Sequence, residues 1–254
     1  MHPEESQRYF FEVAYRGTAY HGWQIQDNAH TVQEEIEKAC KKLWPESGSI
    51  TGSGRTDTGV HCEQQYFHLD LPVLKDPEKT AYRLNRILPP DIAIGRVRPV
   101  IAEAHARFSA TSRGYEYRIS RKKNVFTYGL SWQYHRLLDV ERMNSAADVM
   151  RNFDDFQAFS KVRTDVNHYK CDIHEAVWKT TPSELIFYVR ANRFLRGMVR
   201  AMVGTLLLIG KSRISLEEFS EILASKDRKK AGASVPPEGL FLVSVEYPAE
   251  IYLD

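Results

Sequence analysis

Arg55 and Asp57 stand two residues apart inside one glycine-rich stretch, Thr51-Gly52-Ser53-Gly54-Arg55-Thr56-Asp57-Thr58-Gly59-Val60-His61. Three glycines, with no bulky apolar residue before Val60, let a backbone approach a ligand closely. An arginine beside a carboxylate holds it ionised and oriented, which is what a nucleophilic carboxylate requires. The glycine content alone reads as a surface turn, and the Arg-Asp pair sets the stretch apart from one. It is not a phosphate-binding P-loop, because no Gly-Lys-Ser/Thr ending follows, and its glycine spacing is wrong for a dinucleotide fingerprint.

A second candidate lies far along the chain. Arg200 sits in the most apolar helical stretch, predicted over Phe194 to Ile209, where a charge is costly unless paired. Gly197 lies three residues before it and Val203 and Gly204 three and four after, an open flank that suits an arginine reaching a partner across a domain interface. An ordinary structural ion pair is the alternative. Arg193, Arg196 and Arg200 follow helical i, i+3, i+7 spacing, with Arg190 ahead of them. Such a row tracks phosphates or forms a solvated charged face. Lys226 to Lys230 leads into Ala231-Gly232-Ala233, read as a mobile loop able to close on a ligand or as no more than a soluble loop.

The elements that must position these residues follow from periodicity and punctuation. Tyr9 to Tyr15 reads as a strand ending in the turn Arg16-Gly17-Thr18, and Thr31 with Glu34 forms a capping box for a helix that Pro45 stops. Gln65, Phe67 and Leu69 alternate as a strand, Asp76-Pro77 caps a second helix, and Ile92, Ile94 and Val97 suggest another strand. Beyond them, Tyr115, Tyr117 and Ile119 alternate, Asp139 caps a helix, and a hairpin turns at Thr181-Pro182-Ser183. A helix capped by Ser215 and Glu218 precedes a last strand at Leu240, Leu242 and Val245. The order β-α-β-β-α-β with one extra helix is that of a ferredoxin-like unit. The expectation is an α+β chain of two ferredoxin-like or RRM-like domains, residues 1–105 and 106–254, with antiparallel or mixed sheets around a central cleft.

The 254 residues, 43% of them hydrophobic, suffice for a globular core, and no apolar run approaches the roughly 20 residues of a membrane span. No apolar leader follows Met1, so a cytoplasmic location is expected. Cys40, Cys62 and Cys171 are odd in number and share no metal-ligand spacing, so free thiols and no metal are expected. The net charge of +2 is unevenly spread: 12 Lys and Arg face 15 Asp and Glu through His105, leaving 23 against 18 beyond it. Basic character is therefore C-terminal.

The stretch around Asp57 resembles the catalytic loop of the tRNA pseudouridine synthase I family, Gly-x-Gly-Arg-Thr-Asp-x-Gly-Val-His. Ala106-Arg107-Phe108-Ser109-Ala110-Thr111-Ser112-Arg113-Gly114-Tyr115-Glu116-Tyr117 is similar to the family's second motif, and Met198-Val199-Arg200-Ala201-Met202-Val203-Gly204 to its third. Gly17-Thr18, Gly22-Trp23-Gln24 and Pro236-Pro237-Glu238-Gly239-Leu240 extend the likeness to both ends. Arg16 stands where the family often has aspartate, and Thr58 where alanine is common.

The resemblance implies isomerisation of uridine to pseudouridine at positions 38, 39 and 40 of the tRNA anticodon stem-loop, without cofactor or metal, by a homodimer. It makes Asp57 the nucleophile, attacking C1′ of the ribose or C6 of the base, both of which remain open. Tyr115 would stack on the flipped uracil and assist the C5 proton transfer, where an ordinary strand aromatic is the alternative. Arg55 and Arg200 would serve Asp57, with Arg16, Arg193, Arg196 and Leu240 binding substrate. A non-catalytic RNA-binding protein of the same fold is the rival reading, and it gives no reason for Arg55, Asp57 and Arg200 together.

Overall fold

The computed structural model describes residues 6–162 and 166–253. Contacts within the chain divide it into two compact units, one of the residues through Thr111 with those from Leu242 onward, the other Ser112–Phe241. The division therefore falls six residues beyond His105, and the chain's last stretch returns to the first unit. Both units mix helices with a sheet, so the protein is of the α+β class.

In the first unit β1 (Ser6–Tyr15) is the central strand. It pairs antiparallel with β3 (His61–Pro72) on one side and with β4 (Ile92–Pro99) on the other. A two-residue strand, β2 (Thr51–Gly52), lies along β3 with Gly52 opposite Phe67. Alternation along β1 serves two cores. Phe11, Val13 and Tyr15 are buried on one face, where Phe11 stacks on Phe67 at 4.8 Å. Phe10 on the other face joins a cluster with Val100, Ala104, Ala106 and Ile251. The helix α1 (Val32–Leu43) buries Val32, Ile36, Ala39 and Cys40. Its Thr31 cap forms, accepting from the Glu34 N–H at 3.4 Å, but the Glu34 carboxylate pairs with Lys38 at 2.7 Å instead of closing the expected box. In α2 (Pro77–Asn85), Asp76 caps and Pro77 fills the first turn, where its missing N–H costs nothing.

The second unit holds β5 (Ser112–Ser120), β6 (Trp132–Gln133), α3 (Val140–Met150), β7 (Ile173–Thr180), β8 (Glu184–Ala191), α4 (Met198–Gly210) and α5 (Leu216–Ala224). The strand β8 lies between β5 and β7 and runs antiparallel to both, so β5, α3 and β7 make a split β-α-β unit, the ferredoxin-like signature. Asn144 on α3 clamps Trp178 on β7 through both backbone groups, at 2.7 and 3.2 Å. The capping box of α5 forms in full between Ser215 and Glu218. The last strand, β9 (Leu240–Glu246), begins in this unit and ends in the first. Among the described residues no helix is long and apolar enough to cross a membrane.

One helix boundary departs from expectation. The apolar pattern predicts helix from Phe194, yet α4 starts at Met198, because Gly197 adopts the left-handed conformation at φ +70° and cannot continue a right-handed turn. Arg193 and Arg196 therefore lie in the turn before α4 and share no helical face with Arg200. The expected row of three arginines does not exist as a row.

Candidate functional site

The loop carrying Asp57 is an excursion between two strands of the same sheet, leaving β2 at Gly52 and entering β3 at His61. Its return is fixed by hydrogen bonds at both ends. Ser53 N–H donates to the Tyr66 carbonyl at 2.7 Å, and the Gln65 side chain donates to the Gly54 carbonyl at 3.1 Å. The Tyr15 hydroxyl lies 2.8 Å from the Thr56 hydroxyl and donates to the Gln65 Oε1 at 3.2 Å. All three side chains are buried, so an unsatisfied partner here costs about 1–3 kcal/mol. The loop closes on a turn in which Val60 N–H donates to the Asp57 carbonyl at 3.1 Å, with Gly59 at φ +78°.

A second segment braces the loop from outside. Gly17 and Gly22, which flank a short helical turn at Gly17–Ala19, press their backbones against it. A Cβ on Gly17 would sit 1.9 Å from the Val60 carbonyl oxygen, and one on Gly22, where φ is +90°, would sit 2.3 Å from the Thr56 oxygen. Neither position admits another residue without moving the loop. Between them Trp23 N–H donates to the Thr56 carbonyl at 3.3 Å, Gly59 N–H reaches the Tyr20 carbonyl at 3.3 Å, and Gly17 N–H reaches His61 Nδ1 at 3.1 Å. The indole of Trp23 covers Gly52, where a Cβ would meet Nε1 at 2.5 Å. These contacts leave Asp57 half-buried and Arg55 and Thr58 exposed.

Arg55 makes no hydrogen bond or ion pair among the described residues, so the pairing expected between it and Asp57 does not form, and its guanidinium is open to a ligand rather than clamped on a neighbour. Arg16 is also exposed and in the first unit, its N–H donating to the Asp91 carbonyl at 2.9 Å.

The remaining candidates belong to the second unit. Tyr115 on β5 is half-buried opposite Val189 of β8, its ring edge-on to Phe194 at 5.0 Å and 81°. Phe194, which sequence reasoning placed inside a helix, thus fixes the Tyr115 ring from the turn before α4. Arg193 approaches the His168 ring at 3.2 Å, Arg196 is exposed, and Leu240 is buried at the start of β9.

Arg200 projects from α4 with its Nε donating to the Val235 carbonyl at 2.7 Å, while Val235 N–H returns a bond to the Arg200 carbonyl at 3.2 Å. The flank that Gly204 was expected to leave open is filled. A Cβ on Gly204 would meet the Ala233 oxygen at 1.8 Å, and one on Gly232 would meet the Gly204 oxygen at 2.6 Å. Thr205 Oγ1 accepts from Gly232 N–H at 2.9 Å and donates to the Ala201 carbonyl at 2.8 Å. The segment read as mobile is therefore seated on α4. Its basic approach is tied as well: Lys226 pairs with Asp155 at 2.8 Å, and Arg228 donates to the Gly232 carbonyl and the Ser234 hydroxyl, each at 3.0 Å. Tyr117 completes the anchorage by donating to the Pro236 carbonyl at 2.8 Å, and burial raises its phenol pKa well above the ordinary value.

Sequence reasoning missed the supports: Tyr15, Gln65, Phe194 and Val235. Only the glycines of Gly17-Thr18 and Gly22-Trp23 carried a signal, through their match to a family motif. The three cysteines are buried free thiols, and burial pushes Cys40 up to about 12 and Cys171 to about 11.

Comparison with known proteins now bears on this arrangement. A family model described as tRNA pseudouridine synthase matches residues 12–109 and 153–248. The chain is 46% identical over 246 residues to the tRNA pseudouridine synthase A of Parabacteroides distasonis, covering 96% of this chain and 98% of that one. It is 45% identical over 249 residues to the protein of that name from Bacteroides thetaiotaomicron, with 97% and 93% covered. A more distant relative of the same name, from Bacillus pumilus, is 37% identical over 92% of this chain and 97% of its own. The first matched block contains the Asp57 loop and the second contains α4, and the chain belongs to the tRNA pseudouridine synthase family.

Proposed function

We propose that this chain isomerises uridine to pseudouridine in tRNA, with Asp57 as nucleophile, at positions 38, 39 and 40 of the anticodon stem-loop. The observation that carries the reading is the Gly-Arg-Thr-Asp loop, held as a rigid excursion that presents one carboxylate, in a chain matched to the family over nearly its whole length. The reaction breaks the C1′–N1 bond, turns the uracil, forms a C1′–C5 bond and moves the C5 proton to solvent by way of a base, with N1 reprotonated. It is redox-neutral. Attack by Asp57 at C1′ or at C6 accommodates that balance equally.

The other residues take roles consistent with their settings. Arg55, exposed on the loop, meets the RNA beside the target nucleotide. Tyr115, braced edge-on by Phe194, offers a face on which a flipped uracil stacks and a phenol for the C5 proton. Arg200 steadies the Asp57 carboxylate, and its Nε bond to Val235 limits its rotamers. Arg16, Arg193 and Arg196 contact phosphates, and Leu240 contributes apolar packing beside the base. A homodimer acting in the cytoplasm accompanies this reading.

The test is release of tritium from tRNA labelled at C5 of uridine. Wild type should release it and Asp57→Asn should not, with tRNA still bound. Binding without release by either protein would favour a non-catalytic RNA-binding role. Equal release by both would remove Asp57 from the mechanism. An Arg200→Lys variant should retain binding and lose about 10²-fold in rate, because a point charge does not reproduce the guanidinium fork.

A further inference from the structure

The segment between Ile119 and Leu138 takes no part in the site above, yet it concentrates exposed apolar side chains. Val125, Phe126, Tyr128 and Leu137 are 72, 89, 81 and 87% exposed. The same segment carries Arg121, Lys122, Lys123 and Arg136 and no Asp or Glu. Rings this exposed are costly to keep in water and mark an interaction surface.

The segment is a built platform. At its root Arg121 N–H donates to the Ser183 carbonyl at 3.3 Å, Ser120 Oγ to the Lys122 carbonyl at 2.6 Å, and β6 lies parallel along Ile119 and Ser120. At its tip Phe126 N–H donates to Asn124 Oδ1 at 3.0 Å, Leu130 N–H to the Thr127 carbonyl at 2.9 Å, and Gly129 turns the chain at φ +73°. Every bond at the tip uses backbone or small polar groups. The aromatic rings are left facing water on a fixed frame, flanked by ammonium groups.

We infer that residues 119–138 form a second RNA-contact surface, with Lys122 and Lys123 on phosphates and Phe126 and Tyr128 stacked on unpaired bases. The inference rests on tRNA being the substrate, as proposed above. Aromatic faces interleaved with cations, and no acid among them, are the chemistry that binds single-stranded nucleic acid. A second copy of the chain is a poorer occupant, because a twofold contact through this segment would bring its cations against their own kind. RNA supplies the planar apolar group and the anion together.

The experiment measures tRNA affinity against salt concentration for wild type, Lys122→Gln/Lys123→Gln and Phe126→Ala/Tyr128→Ala, with C5-tritium release by wild type recorded in the same preparation. Loss of the two lysines should lower the slope of log K against log salt by about 1.4–1.8, at 0.7–0.9 per phosphate contact. Loss of both rings should raise Kd by about thirty-fold or more at unchanged slope, in line with 1–3 kcal/mol per stacked base. Wild-type affinity and slope in both variants would overturn the inference. So would a change in subunit number, read by light scattering, with tRNA affinity retained. If wild type binds tRNA without tritium release and the variants lose binding, the catalytic reading falls and this surface stands. If wild type does not bind tRNA, both fall.

Discussion

The carboxylate of Asp57 owes its placement to buried, uncharged side chains. Tyr15, Thr56 and Gln65 form one buried hydrogen-bonded set, and the loop hangs from it. Tyr15→Phe deletes the hydroxyl and leaves two buried polar groups short of a partner. We expect a stability loss of about 1–3 kcal/mol by urea denaturation and a fall in tritium release larger than the fall in tRNA affinity. Unchanged rate and stability would show that the loop holds its shape by backbone contacts alone. Gly22→Ala is a harsher change, since both the φ of +90° and the 2.3 Å approach to Thr56 forbid a Cβ. That variant should fold poorly or lose activity outright, whereas Gly54→Ala, with nothing within 4 Å of its Cβ, should be tolerated in fold. Asp57 and Arg55 were legible as candidates in the sequence because both lie in one short loop, but the ion pair expected between them does not form. Their supports were not, since Tyr15 and Gln65 are 50 residues apart and each looks like an ordinary strand position.

At the scale of the element, α4 shows how a glycine can be misread from sequence. Gly204 was expected to open the flank of Arg200, and instead it admits the Ala233 backbone to within a distance that no side chain permits. Gly204→Ala should displace the seated segment and with it the Val235 carbonyl that holds Arg200. The expected cost is about 1–3 kcal/mol, as for other overpacked core sites, with a rate loss measured on whatever fraction remains folded. An alanine there that melts with wild type would show the segment free to move. The helix periodicity correctly announced a buried element, but it could not see Gly197 turn left-handed, and so Phe194 came out as helix rather than as the brace of Tyr115. Strand alternation, hairpins and four of the helix caps were legible because each depends on neighbours within four residues. The two-residue strands β2 and β6 depend on partners elsewhere and left no pattern.

For the molecule as a whole, folding is linked to pH through His68. It is buried on β3, its Nδ1 accepts from Ala106 N–H at 3.1 Å, and burial pushes its pKa down to about 4. The unfolded chain binds this proton near pH 6.5, so the stabilisation is complete above that value and is lost as pH falls toward 4. At about 1.4 kcal/mol per unit the loss is at most about 3 kcal/mol. His68→Asn, which keeps an acceptor without the titration, should flatten the pH dependence of denaturation between pH 4 and 6.5. An identical slope in wild type and variant would assign that dependence to other groups.

The backbone embrace of the loop by Gly17 and Gly22 has a practical side. The bond that closes the loop takes Asp57 through its backbone carbonyl, which Asn supplies equally, and Asn matches Asp in size. An Asp57→Asn protein should therefore present an intact docking surface with the chemistry switched off. Such a protein is a capture reagent: tRNAs retained on it from a total RNA pool, then sequenced, would reveal the enzyme's clientele directly.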